Sequence, residues 1–178
     1  MMFPSMGIGI ATAMLLASTF SSTDSASVFG ILRSKGLILK NNIRPMLELE
    51  SGSNDPMAYL LTIMFIQIIS SGSNPNYGMV ALMVVVQLLV GAIVGYLLGR
   101  LAVRIINSIR MSNTSLYPIL LLTMGIFIYA ATYYLKGNGY LAVYIAGLVI
   151  GNSKFSHKRS SMNFMDGFAW MSQILLFL

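Results

Sequence analysis

Polar residues are so sparse in this chain that they divide it into blocks. Apolar runs occupy 6–32, 45–69, 78–98, 116–135 and 139–151, and a run of 11 residues, 168–178, closes it. Crossing the hydrocarbon of a bilayer takes about 20 mostly apolar residues as helix. Five of the runs therefore predict membrane spans, with 139–151 short and completed by its flanks. The last run, at about 1.5 Å per residue, reaches only about half of a ~30 Å hydrocarbon core. It reads as a truncated span, and the chain as a piece of a longer one. Pro45 suits the first turn of the second helix, and the third helix is expected to continue to Ile109. Residues 153–165 mix charges with scattered Phe and Met, the pattern of a helix lying at the interface. The first run is interrupted by Ser21-Ser22-Thr23-Asp24-Ser25. The predicted fold is an all-α membrane protein, a helical transmembrane bundle with a discontinuous first helix.

Composition supports lipid as the solvent. Of the 178 residues, 56% are hydrophobic and 9% charged, against about 25% charged in soluble domains. A chain this short cannot hide so much apolar surface in one aqueous core. There is no cysteine and one histidine, His157, so disulfides, thiolate chemistry and a buried zinc site are excluded. No Lys or Arg precedes Arg33, so the basic start of a secretory signal is missing.

Charge distribution changes the picture further. The net charge of +6 sets 11 basic residues against 5 acidic ones, and 10 of the basic residues lie in segments 33–44, 99–113 and 153–161. Segments 70–77 and 136–138 contribute only Lys136. Basic residues that alternate with span number follow the positive-inside pattern. They place 33–44 in the cytoplasm and exclude a nucleic-acid surface. Gly91, Gly95 and Gly99, and likewise Gly147 and Gly151, stand four apart, which lets helix backbones approach closely in lipid. Tyr77, Tyr117, Tyr133, Tyr134 and Tyr140 fall near span ends, as an aromatic belt does.

Only five acidic residues exist, and Asp24, Glu48, Glu50 and Asp55 fall within the first two apolar runs. A carboxylate at membrane depth costs roughly 2.5–3.5 kcal/mol on insertion scales and marks a functional site by default. Glu48 stands four residues from Arg44 and has a ready ion-pair partner; Asp24 and Asp55 have none deep in any span. Ser, Thr and Asp compete with the backbone for hydrogen bonds, so the polar run around Asp24 predicts a broken helix. Irregular backbone at membrane depth is tolerated where it lines a cavity, and its carbonyls are what transporters use to hold Na⁺ or H⁺.

The second cluster is Glu50-Ser51-Gly52-Ser53-Asn54-Asp55-Pro56. On a helix Ser51 and Asp55 share one face, and Glu50 and Asn54 share the next. The first face offers a hydroxyl and a carboxylate, hard oxygen ligands suited to an alkali cation; the second offers a carboxylate held by an amide. Pro56 has no N–H to return to the Gly52 carbonyl.

These strings resemble a known family. Ser21-Ser22-Thr23-Asp24, followed by Val28-Phe29-Gly30-Ile31-Leu32-Arg33-Ser34-Lys35-Gly36, is similar to the sodium(potassium)/proton antiporters of the cation/proton antiporter superfamily. So is Leu47-Glu48-Leu49-Glu50-Ser51-Gly52-Ser53-Asn54-Asp55-Pro56, most like the bacterial NhaP-type branch. Gly139-Tyr140-Leu141-Ala142-Val143-Tyr144-Ile145-Ala146-Gly147 resembles a later helix of the family. The resemblance implies part of an inverted-repeat antiporter fold and a carrier, not an enzyme. It implies that Thr23 and Asp24 are the unwound-helix pair facing the ion, that Asp55 binds cation or proton, and that Ser51 is a ligand hydroxyl. Glu50 and Asn54 are implied as a supporting pair. An asparagine before the aspartate is associated there with electroneutral exchange. The resemblance implies K⁺ or Na⁺ and H⁺ as partners, a homodimer in the full-length protein and a bacterial-type inner membrane. It implies no cofactor and no metal beyond the transported alkali cation. Family helices expected before Met1 and beyond Leu178 are absent.

Other readings stay open on the residues alone. A cation channel would dissipate a cation gradient without moving protons, and a truncated product with intact motifs would do neither. An intramembrane aspartyl protease needs two membrane aspartates, but normally shows Gly-x-Gly-Asp, whereas Asp55 follows Ser53-Asn54.

Overall fold

In lipid every backbone N–H and C=O must be satisfied within its own segment, so long apolar runs have little choice but helix. The computed structural model describes residues 9–23, 28, 43–71, 76–109 and 113–177, apart from the side chains of Arg44, Glu48, Gln173, Leu176 and Phe177. Within these lie six helices: α1 (Ile10–Thr19), α2 (Ile43–Ser70), α3 (Tyr77–Ser108), α4 (Leu116–Tyr134), α5 (Gly139–Asn152) and α6 (Lys158–Phe177). No strand occurs among the described residues. The chain divides into two compact units, 1–87 and 88–178, and α3 runs through their boundary.

In the first unit α1 packs along α2. Ser18 is buried on α1, and its hydroxyl meets that of Thr62 at 3.2 Å. Buried Ser51 and Ala58 share one face of α2 with Thr62, and buried Pro56 and Leu60 share another. Pro56 stands inside that helix without ending it. The expected interruption of the first run begins as predicted: α1 stops at Thr19, and 21–23 have no regular structure. Its own hydroxyls stop it. Ser18 donates to the Leu15 carbonyl (2.8 Å), Thr19 to Leu16 (2.8 Å) and Ser21 to Ser18 (2.9 Å), the side-chain competition that makes these residues poor helix interior. Asp24, and residues 33–42 of the basic 33–44 segment, lie outside the described residues.

In the second unit a seam of small residues sets the packing. A Cβ on Gly95 would stand 2.5 Å from the Ala142 carbonyl oxygen, one on Gly91 2.7 Å from that of Asn138, and one on Gly99 2.9 Å from the Ala146 Cα. The α3 glycines therefore do the expected job, but their partners are Ala142 and Ala146 of α5 and Asn138, the residue before it. Gly147 and Gly151, expected to pack in the same way, have no neighbouring atom within 4 Å of such a Cβ among the described residues. Ile128 of α4 closes the core over Ala142 and Ala146. The α4–α5 turn is tight. Lys136 takes a left-handed φ of 57°, the Gly137 N–H returns to the Thr132 carbonyl at 2.9 Å, and Asn138 caps α5 by accepting from the Leu141 N–H at 3.1 Å.

Two further expectations change. Tyr117 is no belt residue: it is 3% exposed, donates to the Ile109 carbonyl at 3.1 Å and sets its ring 4.7 Å from that of His157. Tyr77, Tyr133, Tyr134 and Tyr140 are exposed, as a belt requires. From Lys158 on, the interfacial segment also runs into the last apolar run as one helix, α6, because the single Gly167 between them is not enough to break it.

Two helices, Tyr77–Ser108 and Leu116–Tyr134, are long and apolar enough to cross a membrane, yet only 11% and 22% of their most apolar windows are buried. A soluble core helix would be mostly buried. Here Leu89, Ile93, Leu97, Ile126 and Phe127 are all more than half exposed, apolar surface that water does not tolerate at this extent.

Candidate functional site

The non-helical residues 21–23 lie against the turn of α2 that carries Glu50 to Asp55, and every polar side chain of that turn except Ser53 reaches them. Ser53 bonds within α2, donating to the Glu50 carbonyl at 3.0 Å. Thr23 is the hub. Its hydroxyl reaches both carboxylate oxygens of Glu50, at 3.1 and 3.0 Å. The same hydroxyl accepts from the Asn54 amide at 3.3 Å, and its carbonyl accepts from the buried Ser51 hydroxyl. The Asn54 amide also donates to the Ser21 carbonyl at 2.9 Å. One step along, the Ser22 hydroxyl donates to the Asp55 carboxylate.

This arrangement follows from local sequence. Residues 50, 51, 54 and 55 fall on two adjacent faces of a continuous helix, so all four side chains address one side of α2. Opposite them is a segment whose carbonyls are not consumed by helix bonds. An end of helix leaves backbone groups without intrahelical partners, and α2 supplies donors to them.

Thr23, Glu50, Ser51, Asn54 and Asp55 come together, while Asp24 lies outside the described residues. One detail differs. Asn54 does not hold Glu50 directly; the Thr23 hydroxyl stands between them and bonds both. Two participants were not singled out: Ser22, bonded to Asp55, and the Ser21 carbonyl, bonded to Asn54. Both belong to the polar run that marked the break, so the signal was present. The Ser18–Thr62 contact had none, Thr62 being a lone hydroxyl in an apolar run.

Chemically the cluster offers carboxylate, hydroxyl, amide and backbone carbonyl oxygens, the hard ligands that suit alkali cations rather than soft metals. Among the described residues neither Glu50 nor Asp55 is held in an ion pair. Asp55, Glu50 and Thr23 are exposed along the side of α2, whereas Ser51 is buried beneath them.

Comparison with known proteins agrees with this chemistry. The sequence matches the family described as sodium/hydrogen exchanger, transmembrane, over residues 1–178. It is 36% identical over 173 residues to the K⁺/H⁺ antiporter NhaP of Alkalimonas amylolytica, covering 97% of this chain and 30% of that protein. It is also 36% identical over 166 residues to the K⁺/H⁺ antiporter NhaP2 of Shewanella oneidensis, covering 93% of this chain and 28% of the relative. The NhaP2 of Shewanella baltica matches to the same extent, 36% over 166 residues. The chain thus spans about 30% of the length of these relatives, which are named as transporters and not as enzymes. No solved structure matches it. With a match along its whole length and helices that turn their apolar sides outward, the chain is an integral membrane protein and belongs to the transmembrane sodium/hydrogen exchanger family.

Proposed function

We propose that this chain supplies the ion-binding part of a monovalent cation/proton antiporter of a bacterial-type inner membrane, exchanging K⁺ or Na⁺ for H⁺. The single observation that carries the reading is the convergence of Glu50, Ser51, Asn54 and Asp55 on a stretch of open backbone at 21–23. Such a pairing of irregular backbone with carboxylate and hydroxyl is how membrane carriers replace the water around an ion. The names of the relatives favour K⁺. The mechanism is competition. Cation and proton occupy the Asp24/Asp55 site in turn, and only the loaded carrier moves between faces. Ser51 and Thr23 contribute oxygens, Ser22 orients Asp55, and Glu50 with Asn54 holds Thr23 in place. Exchange is electroneutral, a reading that rests on Asn54 standing before Asp55. The full-length protein is a homodimer in the lipid bilayer and crosses it several times, with spans at 6–32, 45–69, 78–98, 116–135 and 139–151.

The test is Asp55→Asn in the full-length parent protein, reconstituted in vesicles. The change removes the group that exchanges a proton for a cation while keeping its shape. Cation-driven proton flux is expected to vanish with expression intact. In the unmodified protein the cation concentration for half-maximal exchange should rise as pH falls, because protons take the same carboxylate. Normal pH-dependent exchange in Asp55→Asn would sink the competition mechanism.

A further inference from the structure

The second unit holds a cleft that the exchange reading does not use. It encloses about 530 Å³ between the last turns of α3 and the end of α5, and its walls include Tyr96, Arg100, Arg104, Val149 and Lys154. Three cationic side chains meet there, and the only carboxylate in residues 88–178 is Asp166, which does not line the cleft. We propose that this cleft binds a phosphate-bearing anion, the headgroup of an anionic phospholipid lying against α3 and α5.

Several features go beyond a scatter of basic residues at a membrane face. Tyr96, Arg100 and Arg104 stand four apart and share one face of α3, where two like charges at that spacing repel. An anion between them turns the repulsion into attraction. The Arg100 guanidinium lies over the Tyr96 ring, 5.1 Å from its centroid. That contact holds the planar fork, which suits bidentate recognition of phosphate oxygens. Lys154 is held from behind: Asn107 donates to its carbonyl and accepts from the Ser156 N–H, both at 3.2 Å. The cleft cations are not needed to neutralise the end of α5, because Lys158 already donates to the Gly151 and Ser153 carbonyls. Beside the charges Leu97, Leu101 and Leu148 are exposed, a surface for acyl chains. Basic pockets between membrane helices next to such a surface bind lipid headgroups, and the acyl-chain surface favours this source over free phosphate.

The full 178-residue chain, delipidated in detergent, should retain phosphatidylglycerol over phosphatidylcholine when both are offered and bound lipid is read by native mass spectrometry. Arg100→Gln and Arg104→Gln are each expected to cut that retention roughly fivefold, the usual worth of one basic residue at a membrane surface. Arg159→Gln removes the same charge from exposed α6 and should leave retention unchanged; circular dichroism checks that each variant keeps its helices. If phosphatidylglycerol is not preferred but millimolar inorganic phosphate raises the melting temperature in an Arg100-dependent way, the phosphate chemistry stands and the lipid source is overturned. If neither ligand depends on Arg100, or Arg159→Gln weakens binding as much, the site is overturned.

Discussion

Thr23 is bonded three ways by α2, through Glu50, Ser51 and Asn54, so each of these side chains tests a different part of the arrangement. Ser51 is 6% exposed and donates to the Thr23 carbonyl. Removing the donor leaves a carbonyl unsatisfied at a cost of about 1–3 kcal/mol. In the full-length parent, Ser51→Ala should therefore weaken cation affinity roughly tenfold with the maximal rate preserved, as read from exchange against cation concentration. An unchanged half-saturation would separate Ser51 from the ion. Asn54→Asp removes an amide that donates at 2.9 and 3.3 Å and adds a charge beside Asp55. Its exchange is expected to become sensitive to an imposed membrane potential, measured with the potential clamped across liposomes. Insensitivity in both proteins would detach position 54 from stoichiometry.

Among the helices, the seam between α3 and α5 makes the sharpest comparison. A methyl group at Gly95 meets backbone atoms of Ala142, which cannot swing aside, whereas one at Gly147 meets nothing within 4 Å among the described residues. Overpacking of this kind costs typically about 1–3 kcal/mol. Gly95→Ala should lower the melting temperature in detergent, and Gly147→Ala should hold or raise it, since Ala is the better helix former by about 1 kcal/mol. Equal melting temperatures would mean that the seam does not bear the packing. The same pair shows what was legible in the sequence. Small residues four apart announce that some backbone comes close, but the spacing does not say which helix carries the other half, and α5 turned Ala142 and Ala146 inward instead of Gly147. The helix break was legible because five polar residues in a row leave a helix no apolar side to bury. The role of Thr23 was only half legible. Its partners stand 27 to 31 residues away, and a single sequence does not give the register of one segment on another. Tyr117 was misread for a related reason: nearness to a span end says nothing about which side of the helix the ring takes. The joining of 158–165 to 168–177 in one helix was not legible because a change in hydropathy is not a change in backbone preference.

For the chain as a whole, the alternation of basic segments is the feature with the widest reach. Ten of the 11 basic residues fall in segments 33–44, 99–113 and 153–161. A reporter fused within 33–44 should be cytoplasmic and one within 70–77 external; finding both on one side would overturn the topology. The clamp on residues 21–23 carries a further consequence, for biogenesis. The donors that satisfy the Ser21 and Thr23 carbonyls are on Ser51 and Asn54, which leave the ribosome after them. Until those residues arrive, the end of α1 has only water to bond with, and it loses that water on entering lipid. The first segment therefore gains little by integrating alone, and α1 and α2 should pass from the translocon into the bilayer as one hairpin. In the 178-residue chain translated by itself, nascent chains arrested before α2 has emerged would then be extracted by alkali, while chains arrested after it would resist.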